Sequence, residues 1–291
     1  MLLKLFQKTN VVLYNILGSK LSTRLAVSSL GKLLFKILLK GKRGMGRYTI
    51  DEGIEFEMDL TEAVNSGVAI LGSWNQFETR VLKTILQPGD VIIDVGAFMG
   101  SYSLLAGKLT GEKGKVYAFE PNPDYFKKLK KNILLNRFPN IQAFDLALSN
   151  KKGVVEFYPA SSGSSLVKNV AEALIGKKIK PIKVKAVTLN DFVGKEKIKR
   201  IDFIKIDAEG WDLQVLKGAS NILKRKDAPD IMVEVIDEQL KIAGSSSYDL
   251  IKYMKSFTYT PYVFTRNGLK SYENSGIQTL NLLFRKNLLR N

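Results

Sequence analysis

The 291-residue chain contains no cysteine and no histidine. Without cysteine it cannot form a disulfide, a thiolate nucleophile or a cysteine-ligated zinc or iron–sulfur site. Without histidine it lacks both the commonest general base and the commonest transition-metal ligand, so a Ser-His-Asp triad is excluded. Proton transfer therefore has to involve Asp, Glu, Lys, Tyr or a water molecule, and the sequence assigns no metal ligand.

The chain also lacks an apolar run of about 18 uncharged residues, the length that a membrane-spanning helix needs. Hydrophobic residues make up 45% of the sequence, which is enough for a buried core and excludes a disordered or fibrous protein. The positive charge is unevenly distributed. Ten of the 45 basic residues lie in Met1–Arg47, which contains no acidic residue, and the rest of the chain carries 35 basic against 28 acidic residues. The net charge of +17 therefore predicts that the N-terminal segment is attracted to an anionic partner.

Residues 1–45 are predicted to form a basic, amphipathic helical arm in front of a single domain over residues 46–291. Late in this arm, apolar residues recur at intervals of three and four while lysines share another face. The apolar residues are Leu30, Leu33, Leu34, Ile37 and Leu38, and the lysines are Lys32, Lys36 and Lys40. Two interpretations stay open: the arm binds an anionic membrane surface, or it packs on the domain with its lysines in solvent. We expect a cytoplasmic protein, with the inner face of the membrane as the candidate site of peripheral attachment.

The chain after the arm predicts an α/β domain. Tyr48–Ile50 and Ile54–Met58 alternate around a turn, the pattern of a β-hairpin, and a helix is predicted from about Asn75. From Val91 onward, strands alternate with helices, which is typical of parallel βαβ units. The predicted strands are Val91–Val95, Lys115–Phe119, Ile141–Leu146, Val154–Tyr158, Ile182–Val187, Ile201–Ile206, Ile231–Ile236, Tyr262–Thr265 and Thr279–Phe284, and the helices are Ser101–Leu109, Asp124–Asn136 and Leu213–Leu223. We therefore expect a doubly wound, mostly parallel Rossmann-like sheet with a small β-hairpin and an N-terminal helical arm.

The first strand-to-helix turn reads Asp94-Val95-Gly96-Ala97-Phe98-Met99-Gly100. Gly96 and Gly100 allow a tight turn and a close approach of the backbone to a ligand, as a nucleotide-type cofactor needs at this position. Asp94 places a carboxylate where it would repel the pyrophosphate of a dinucleotide. S-adenosylmethionine has no phosphate and carries two positive groups, so the acid favours this cofactor over NAD or FAD. The alternative is that Asp94 only caps the following helix.

A second acid, Glu120, ends the next predicted strand 26 residues after Asp94, and Pro121 stops that strand. At the end of the second strand of a doubly wound fold, an acid accepts hydrogen bonds from the hydroxyls of a cofactor ribose. An isolated acid at a strand end is more often merely solvated. The cofactor-like turn around Gly96 favours a binding role for Glu120.

The third motif, Lys205-Ile206-Asp207-Ala208-Glu209-Gly210-Trp211-Asp212, follows another predicted strand. In open α/β sheets, ligands bind at the carboxyl ends of strands, so three acids there indicate a site. Clustered acids also bind divalent cations, although hydrated Mg²⁺ usually recruits only one or two carboxylates. A helix-terminal role is a realistic alternative for Asp212 and a weaker one for Asp207 and Glu209. Whether Lys205 pairs with one of these acids stays open.

Together these motifs resemble the FkbM family of S-adenosylmethionine-dependent methyltransferases. The resemblance runs from about Gly72 to Val235 and includes several shorter segments. These are Asn132 with Asn136, Ala147-Leu148-Ser149, Ser164-Ser165-Leu166 and Leu216-Lys217-Gly218-Ala219. It implies a class I methyltransferase fold and methyl transfer to oxygen, often on sugars or on secreted and lipid-linked metabolites.

The resemblance also implies roles for individual residues. Those assigned to cofactor binding are Asp94, Gly96, Ala97, Gly100, Glu120, Pro121, Ala147 and Asp207. Among them, Asp94 and the two glycines line the methionine end, Glu120 the ribose and Ala147 the adenine edge. Asp207 and Glu209 face the reacting methyl group as the candidate catalytic residues. Two positions depart from the family pattern, because Phe98 stands where asparagine is usual and Ile236 where histidine is frequent.

Methyl transfer from a sulfonium needs an aligned acceptor oxygen and a group that takes its proton. With no histidine in the chain, Asp207 or Glu209 is the expected base. The expected acceptor is a small molecule or a glycan. An RNA methyltransferase is disfavoured because no D/N-P-P-Y/F tetrapeptide follows the strand before Asp207 and no cysteine exists to attack a pyrimidine ring. The other alternative is a non-catalytic protein that keeps the fold as an interaction module.

Overall fold

A computed structural model of the chain describes residues 44–50, 52–60, 65, 68–69, 76–160, 164–265, 268–272 and 279–286. The chain divides into two compact units, Met1–Arg80 and Val81–Asn291. The predicted arm lies outside the described residues as far as residue 43 and stays a prediction. Within the described ranges, no helix has the length and the apolar character needed to cross a membrane.

The first unit contains the predicted hairpin. β1 (Met45–Ile50) pairs antiparallel with β2 (Ile54–Asp59), and Ile50 lies opposite Ile54 next to the turn. Alternate residues of β2 are buried, as the period of two along a strand requires. The hairpin prediction is confirmed, and both strands are longer than predicted.

The second unit is built on an eight-stranded, mostly parallel sheet. Its strands in spatial order are β12 (Gly268–Ser271), β11 (Thr260–Thr265), β13 (Thr279–Arg285), β10 (Asp230–Ile236), β9 (Phe203–Ile206), β3 (Val91–Val95), β4 (Lys115–Phe119) and β5 (Ile141–Phe144). The five strands from β10 to β5 are parallel, whereas β13 runs antiparallel to its neighbours β10 and β11. The central strands are nearly continuous buried apolar runs, the pattern of strands covered on both faces. The predicted α/β fold with a mostly parallel sheet is confirmed.

The helices connect these strands in the expected alternating manner. They are α1 (Gln76–Ile85), which contains the boundary between the units, and then α2 (Ser101–Thr110), α3 (Pro123–Asn136), α4 (Lys168–Ile175), α5 (Leu189–Lys195), α6 (Asp212–Gly218), α7 (Ser220–Leu223), α8 (Asp237–Ile242) and α9 (Ser247–Ser256). The predictions from the sequence omitted α4, α5, α8 and α9. All four are short helices of ten residues or fewer, over which an apolar repeat is difficult to recognise.

The strand order reverses between β3 and β9. From β3 the chain continues to β4 and β5 on one side, and it later returns to β9 and β10 on the other side. Right-handed crossovers in opposite directions place their helices on opposite faces of the sheet. This reversal opens a crevice at the carboxyl ends of β3 and β9, where ligands bind in folds of this kind.

Two segments that were predicted within the series of strands lie outside the large sheet, together with a short strand that was not predicted. β6 (Ala147–Leu148), β7 (Gly153–Phe157) and β8 (Ile182–Val187) form a separate three-stranded sheet with β8 in the middle. β6 is parallel to β8 and β7 is antiparallel to it. The predicted strand Ile141–Leu146 therefore ends at Phe144, before the chain leaves for the smaller sheet.

The predicted helix Leu213–Leu223 is divided into α6 and α7, which meet at Ala219. Gly218 lies directly against the backbone after β6, where a Cβ atom would overlap the carbonyl oxygen of Ser149. The single-helix prediction was wrong because the apolar spacing of the sequence continues across this break. The contact at Gly218 depends on a residue 69 positions away, which no local pattern shows.

Candidate active site

Two loops meet where the strand order reverses. The loops after β3 and β9 lie side by side because Asp94 is paired in register with Lys205. The backbone N–H of Asp207 donates to the carbonyl oxygen of Val95 at 3.1 Å. Gly96 has a φ of +77°, and a Cβ atom there would overlap the carbonyl oxygen of Asp207. Only glycine allows the two backbones to approach this closely.

Asp94 is buried near the end of β3, with 1% of its surface exposed. Ser103 of α2 donates its hydroxyl to Oδ2 at 2.5 Å. The other oxygen, Oδ1, is buried and has no hydrogen-bond partner among the residues that the structure describes. Burial raises the pKa of Asp94, against the opposing positive charge of Lys205. An unpartnered buried oxygen is costly, and a cationic donor on a bound ligand would satisfy it.

Glu120 is buried directly after β4 and connects two loops. Its Oε2 accepts a hydrogen bond from the backbone N–H of Phe98 at 2.7 Å, and its Oε1 accepts one from that of Asn122 at 2.8 Å. Burial raises the pKa of Glu120 to about 7, although these two hydrogen bonds oppose the increase. Each carboxylate oxygen has two lone pairs, so both keep an acceptor position for a ligand hydroxyl.

Phe98 contributes its backbone to this contact. Its φ of +53° is uncommon for a residue with a side chain, and its ring packs against Tyr125 with the two centroids 4.0 Å apart. The position at which asparagine is usual in the resembled family therefore carries an aromatic contact in this chain.

A partly buried ion pair occupies the centre of the site. Nζ of Lys205 lies 2.9 Å from Oδ2 of Asp207 and 4.3 Å from the ring centroid of Tyr102. The side chain of Lys205 is 5% exposed, whereas that of Asp207 is 29% exposed. Burial lowers the pKa of Lys205, but the negative charges of Asp207 and Asp94 outweigh burial and raise it. Lys205 thus stays protonated and pairs with Asp207, which answers the question that the sequence left open.

Glu209 lies in the same loop as Asp207, with a φ of +48°. Its Oε2 accepts a hydrogen bond from the side-chain amide of Gln239 in α8 at 2.8 Å. Its backbone carbonyl accepts one from the hydroxyl of Ser165 at 2.8 Å. Burial and the negative charge of Asp207 raise the pKa of Glu209 to about 7. Among the described residues Gln239 alone hydrogen-bonds this carboxylate, so Oε1 is available to a ligand.

Asp212 and Glu234 complete the acidic cluster. Asp212 accepts hydrogen bonds from the backbone N–H groups of Ala208 at 2.9 Å and Gly210 at 3.1 Å, so its carboxylate braces the loop. This agrees with the structural alternative for Asp212. The negative charge of Asp207, followed by burial, raises the pKa of Glu234 well above its ordinary value. Glu234 was not predicted from the sequence as a residue of this site, although an acid within an otherwise apolar strand was a signal.

The other predicted site residues lie in the same loops, with one exception. Gly96, Ala97 and Gly100 follow β3, and Pro121 follows Glu120. Ala147 lies in β6, where its side chain is 2% exposed in the small core of the three-stranded sheet. Its assignment to the adenine edge stays a prediction.

Ser165 and Gln239 were not singled out as functional residues by the sequence. The pair Ser164-Ser165 belonged to the family resemblance without a role, and Gln239 gave no signal. Both reach Glu209 from distant parts of the chain, 44 and 30 positions away. Within the ranges that the structure describes, no group of three or more acidic side chains has an arrangement that could hold a metal ion.

A family model described as the methyltransferase FkbM domain matches residues 94–261 of the chain. The match begins at Asp94 and includes Glu120, the loop with Asp207 and Glu209, and Gln239. It therefore covers more than half of the chain and every contact of the site described above.

Individual relatives match the chain at low sequence identity. The hexuronic acid methyltransferase AglP of Haloferax volcanii is 30% identical over 149 residues, which cover 50% of this chain and 56% of AglP. The 2-O-methyltransferase NoeI of Sinorhizobium fredii is 24% identical over 210 residues, which cover 67% of this chain and 84% of NoeI. A crystal structure of methyltransferase FkbM from Methylobacillus flagellatus KT aligns with a TM-score of 0.45 at 15% identity, covering 76% of this chain and 52% of that one. The chain spans little more than half the length of AglP.

Proposed function

The chain belongs to the FkbM methyltransferase family, and on this premise we propose that it transfers a methyl group from S-adenosylmethionine to a hydroxyl oxygen of a sugar-containing acceptor. The observation that carries this proposal is the position of Asp94, Glu120 and Glu209. They lie at the carboxyl ends of three neighbouring strands, β3, β4 and β9, next to the reversal of strand order. Ligands bind in this crevice in doubly wound folds.

Asp94 and Glu120 suit S-adenosylmethionine as the cofactor. The buried Oδ1 of Asp94 lacks a hydrogen-bond partner in the described part of the chain, and a cationic ammonium group would provide both a donor and a compensating charge. Glu120 keeps acceptor positions that suit ribose hydroxyls. Neither carboxylate suits a pyrophosphate, because like charges repel. When bound, S-adenosylmethionine would supply a methyl group that is attached to a positively charged sulfur. The sulfur would then leave as a neutral thioether.

Glu209 is a better candidate for the base than Asp207. Oδ2 of Asp207 is engaged by the ammonium group of Lys205 at 2.9 Å, so this oxygen already pairs with a cation. Glu209 has an available oxygen and a pKa raised to about 7, and a general base is most effective when its pKa lies near the working pH. As the acceptor oxygen bonds to the methyl carbon, the hydroxyl proton passes to Oε1 of Glu209.

The acceptor class is proposed from the relatives and from the chemistry of Glu209. The names of AglP and NoeI, a hexuronic acid methyltransferase and a 2-O-methyltransferase, support a sugar hydroxyl as the acceptor. Such a hydroxyl is far less acidic than a carboxyl group. Glu209 therefore hydrogen-bonds it first, which aligns the oxygen, and takes its proton late in the transfer.

We also propose that residues 1–45 form a basic arm that binds anionic lipid headgroups, in front of a catalytic domain over residues 46–291. The support is the distribution of charge, since Met1–Arg47 contains ten basic and no acidic residues. Each basic residue near an anionic membrane surface contributes about 1 kcal/mol of binding free energy. Binding there would bring the domain close to lipid-linked sugars.

Mass spectrometry of glycans and lipid-linked sugars tests the proposed acceptor. We expect a methyl ether in cells with the wild-type protein and far less of it in cells that carry Glu209→Gln. New methylation in RNA instead of sugars would favour the nucleic-acid alternative. Tight S-adenosylmethionine binding without a methylated product in any fraction would favour a non-catalytic interaction protein.

A further inference from the structure

Two hydrogen bonds from outside its own loop hold Glu209. The hydroxyl of Ser165 donates to the backbone carbonyl of Glu209, and the side-chain amide of Gln239 donates to its Oε2, both at 2.8 Å. The first contact restrains the backbone of Glu209 and the second restrains its carboxylate. Together they determine where Oε1 points.

The backbone of Glu209 needs such support because of its conformation. A φ of +48° is disfavoured for a residue with a Cβ atom, and Gly210 follows with a φ of +87°. Ser165 is 1% exposed, and its hydroxyl also accepts a hydrogen bond from the backbone N–H of Val167 at 3.0 Å. Since that oxygen already accepts from Val167, the hydroxyl proton is directed to the carbonyl of Glu209.

Gln239 comes from a helix that is itself anchored. Oδ1 of Asp237, at the start of α8, accepts hydrogen bonds from the backbone N–H and the hydroxyl of Ser247 at 2.8 and 2.7 Å. Its Oδ2 lies 2.7 Å from Nζ of Lys241. α8 also packs closely on the loop, because a Cβ atom on Gly210 would lie 2.9 Å from the carbonyl oxygen of Gln239. The amide of Gln239 is therefore presented from a fixed position.

Ser164, although adjacent to Ser165, supports the other acidic loop. Its hydroxyl oxygen accepts hydrogen bonds from the side-chain amide of Asn122 at 3.1 Å and from the backbone N–H of Ala160 at 2.9 Å. Asn122 in turn donates its backbone N–H to Glu120. The two serines thus contact different carboxylate-bearing loops of one site.

We propose that Ser165 and Gln239 are positioning residues that hold Glu209 in the orientation in which it takes the acceptor proton, whereas Ser164 supports the Glu120 loop. This inference rests on the proposed function of Glu209 as the base. The inference predicts that replacing Ser165 changes the titration of Glu209, whereas replacing Ser164 changes cofactor binding. A general loss of stability would not separate these two effects.

The test is a ¹³C NMR titration of the full chain labelled at the glutamate carboxyl carbons, with the Glu209 resonance assigned by its loss in Glu209→Gln. In Ser165→Ala the loop relaxes and Glu209 reaches solvent, so we expect its pKa to fall by about one unit towards the ordinary value. Ser165→Thr keeps a hydroxyl at this position, so we expect Glu209 to titrate as in the wild type. Gln239→Leu removes a donor to the ionised form, so the pKa of Glu209 rises instead.

Ser164→Ala is the matched control. It leaves the titration of Glu209 unchanged and weakens S-adenosylmethionine binding several-fold in calorimetry, whereas Ser165→Ala leaves that binding unchanged. If Glu209 titrates as in the wild type in both Ser165→Ala and Gln239→Leu, or if both variants move its pKa in the same direction, the positioning role is wrong. Neither measurement uses an acceptor. If the pKa of Glu209 shifts as expected in these variants but the protein methylates no sugar, the proposed function is wrong and the positioning role of Ser165 and Gln239 still stands.

Discussion

The ammonium group of Lys205 lies 2.9 Å from the carboxylate of Asp207, and among the described residues it faces several acids that are buried or half-buried. Asp94, Glu209 and Glu234 all interact electrostatically with Lys205. Burial and the negative charge of Asp207 raise the pKa of Glu209, and the negative charge of Asp207, followed by burial, raises the pKa of Glu234, because the positive charge of Lys205 does not compensate all of these acids. The site therefore favours a ligand that brings positive charge, as S-adenosylmethionine does.

Replacing Lys205 by methionine keeps an apolar side chain in place and removes the charge. We expect Lys205→Met to lower the free energy of unfolding by about 3 kcal/mol at pH 8, because buried carboxylates lose their counter-ion. At pH 5 the loss is smaller. Acids with a raised pKa destabilise the fold as pH rises and they ionise, and they are largely protonated at pH 5. Urea unfolding at both pH values measures the difference.

Lys217→Met, at an exposed position of α6, is the control for that comparison and should have little effect at either pH. An equal loss at pH 5 and pH 8 for Lys205→Met would show that the aliphatic part of Lys205, rather than its charge, stabilises the site.

Gly96→Ala tests the close approach of the loops after β3 and β9. Gly96 and Gly89 both have a positive φ, +77° and +90°, so alanine at either position costs about 1–2 kcal/mol of stability from backbone strain. Gly89 has open space around it, whereas a Cβ atom at Gly96 would overlap the carbonyl oxygen of Asp207. We expect Gly96→Ala to be clearly less stable than Gly89→Ala in thermal unfolding and to weaken S-adenosylmethionine binding at least about tenfold. Equal behaviour of the two variants would contradict this role for Gly96.

Glu209→Gln tests the proposed base. We expect turnover to fall about 10²- to 10⁴-fold, the usual contribution of a general base, while the Kd for S-adenosylmethionine stays within about twofold of the wild type. Glu238→Gln, at an exposed position of α8, is the matched control and should keep normal turnover. Rate measurements at saturating cofactor separate the two effects. A larger loss in Asp207→Asn than in Glu209→Gln would assign the base to Asp207 instead.

The pH dependence of the rate should follow the ionisation of Glu209. Burial and Asp207 raise its pKa to about 7, and a base acts only when it is deprotonated. We therefore expect kcat/KM to rise about tenfold per pH unit below pH 7 and to level off above it. The pH profile of Glu209→Gln should lack this rise in kcat/KM below pH 7. A wild-type rate that is constant from pH 5 to pH 8 would rule out Glu209 as the ionising group.

Vesicle flotation tests the proposed arm. The full chain should float with vesicles that contain phosphatidylserine and not with vesicles of phosphatidylcholine alone, and raising the salt concentration should weaken binding. A chain that lacks residues 1–45 should stay unbound under all these conditions. Equal binding of the full and truncated chains would contradict a membrane role for the arm.

Much of the site could be predicted from local signals. Asp94, Glu120 and Asp207 each follow a short run of apolar, β-forming residues, and in parallel strands such residues meet at one edge of the sheet. The glycines around Asp94 and Pro121 after Glu120 mark the strand ends independently of any tertiary contact. The positions of these acids at the strand ends could be predicted because strand ends are encoded by the residues next to them.

Other features could not be predicted because their signals are not local. The sequences of β7 and β8 suit the large sheet as well as the small one, and the choice depends on pairing partners elsewhere in the chain. Similarly, the apolar spacing over Leu213–Leu223 fits one helix. Its division at Ala219 accompanies the packing of Gly218 against Ser149, a distant residue.

The sequence by itself limited proton transfer to Asp, Glu, Lys, Tyr or a water molecule, because it contains neither histidine nor cysteine, and it placed acids at the ends of predicted strands. Only the tertiary structure showed how the surroundings of Asp207 and Glu209 differ. Lys205 engages Asp207, whereas Ser165 and Gln239 hold Glu209 with one oxygen available. Those two contacts join residues 44 and 30 positions apart, so they exist only once the loops have been brought together by the packing of the sheet.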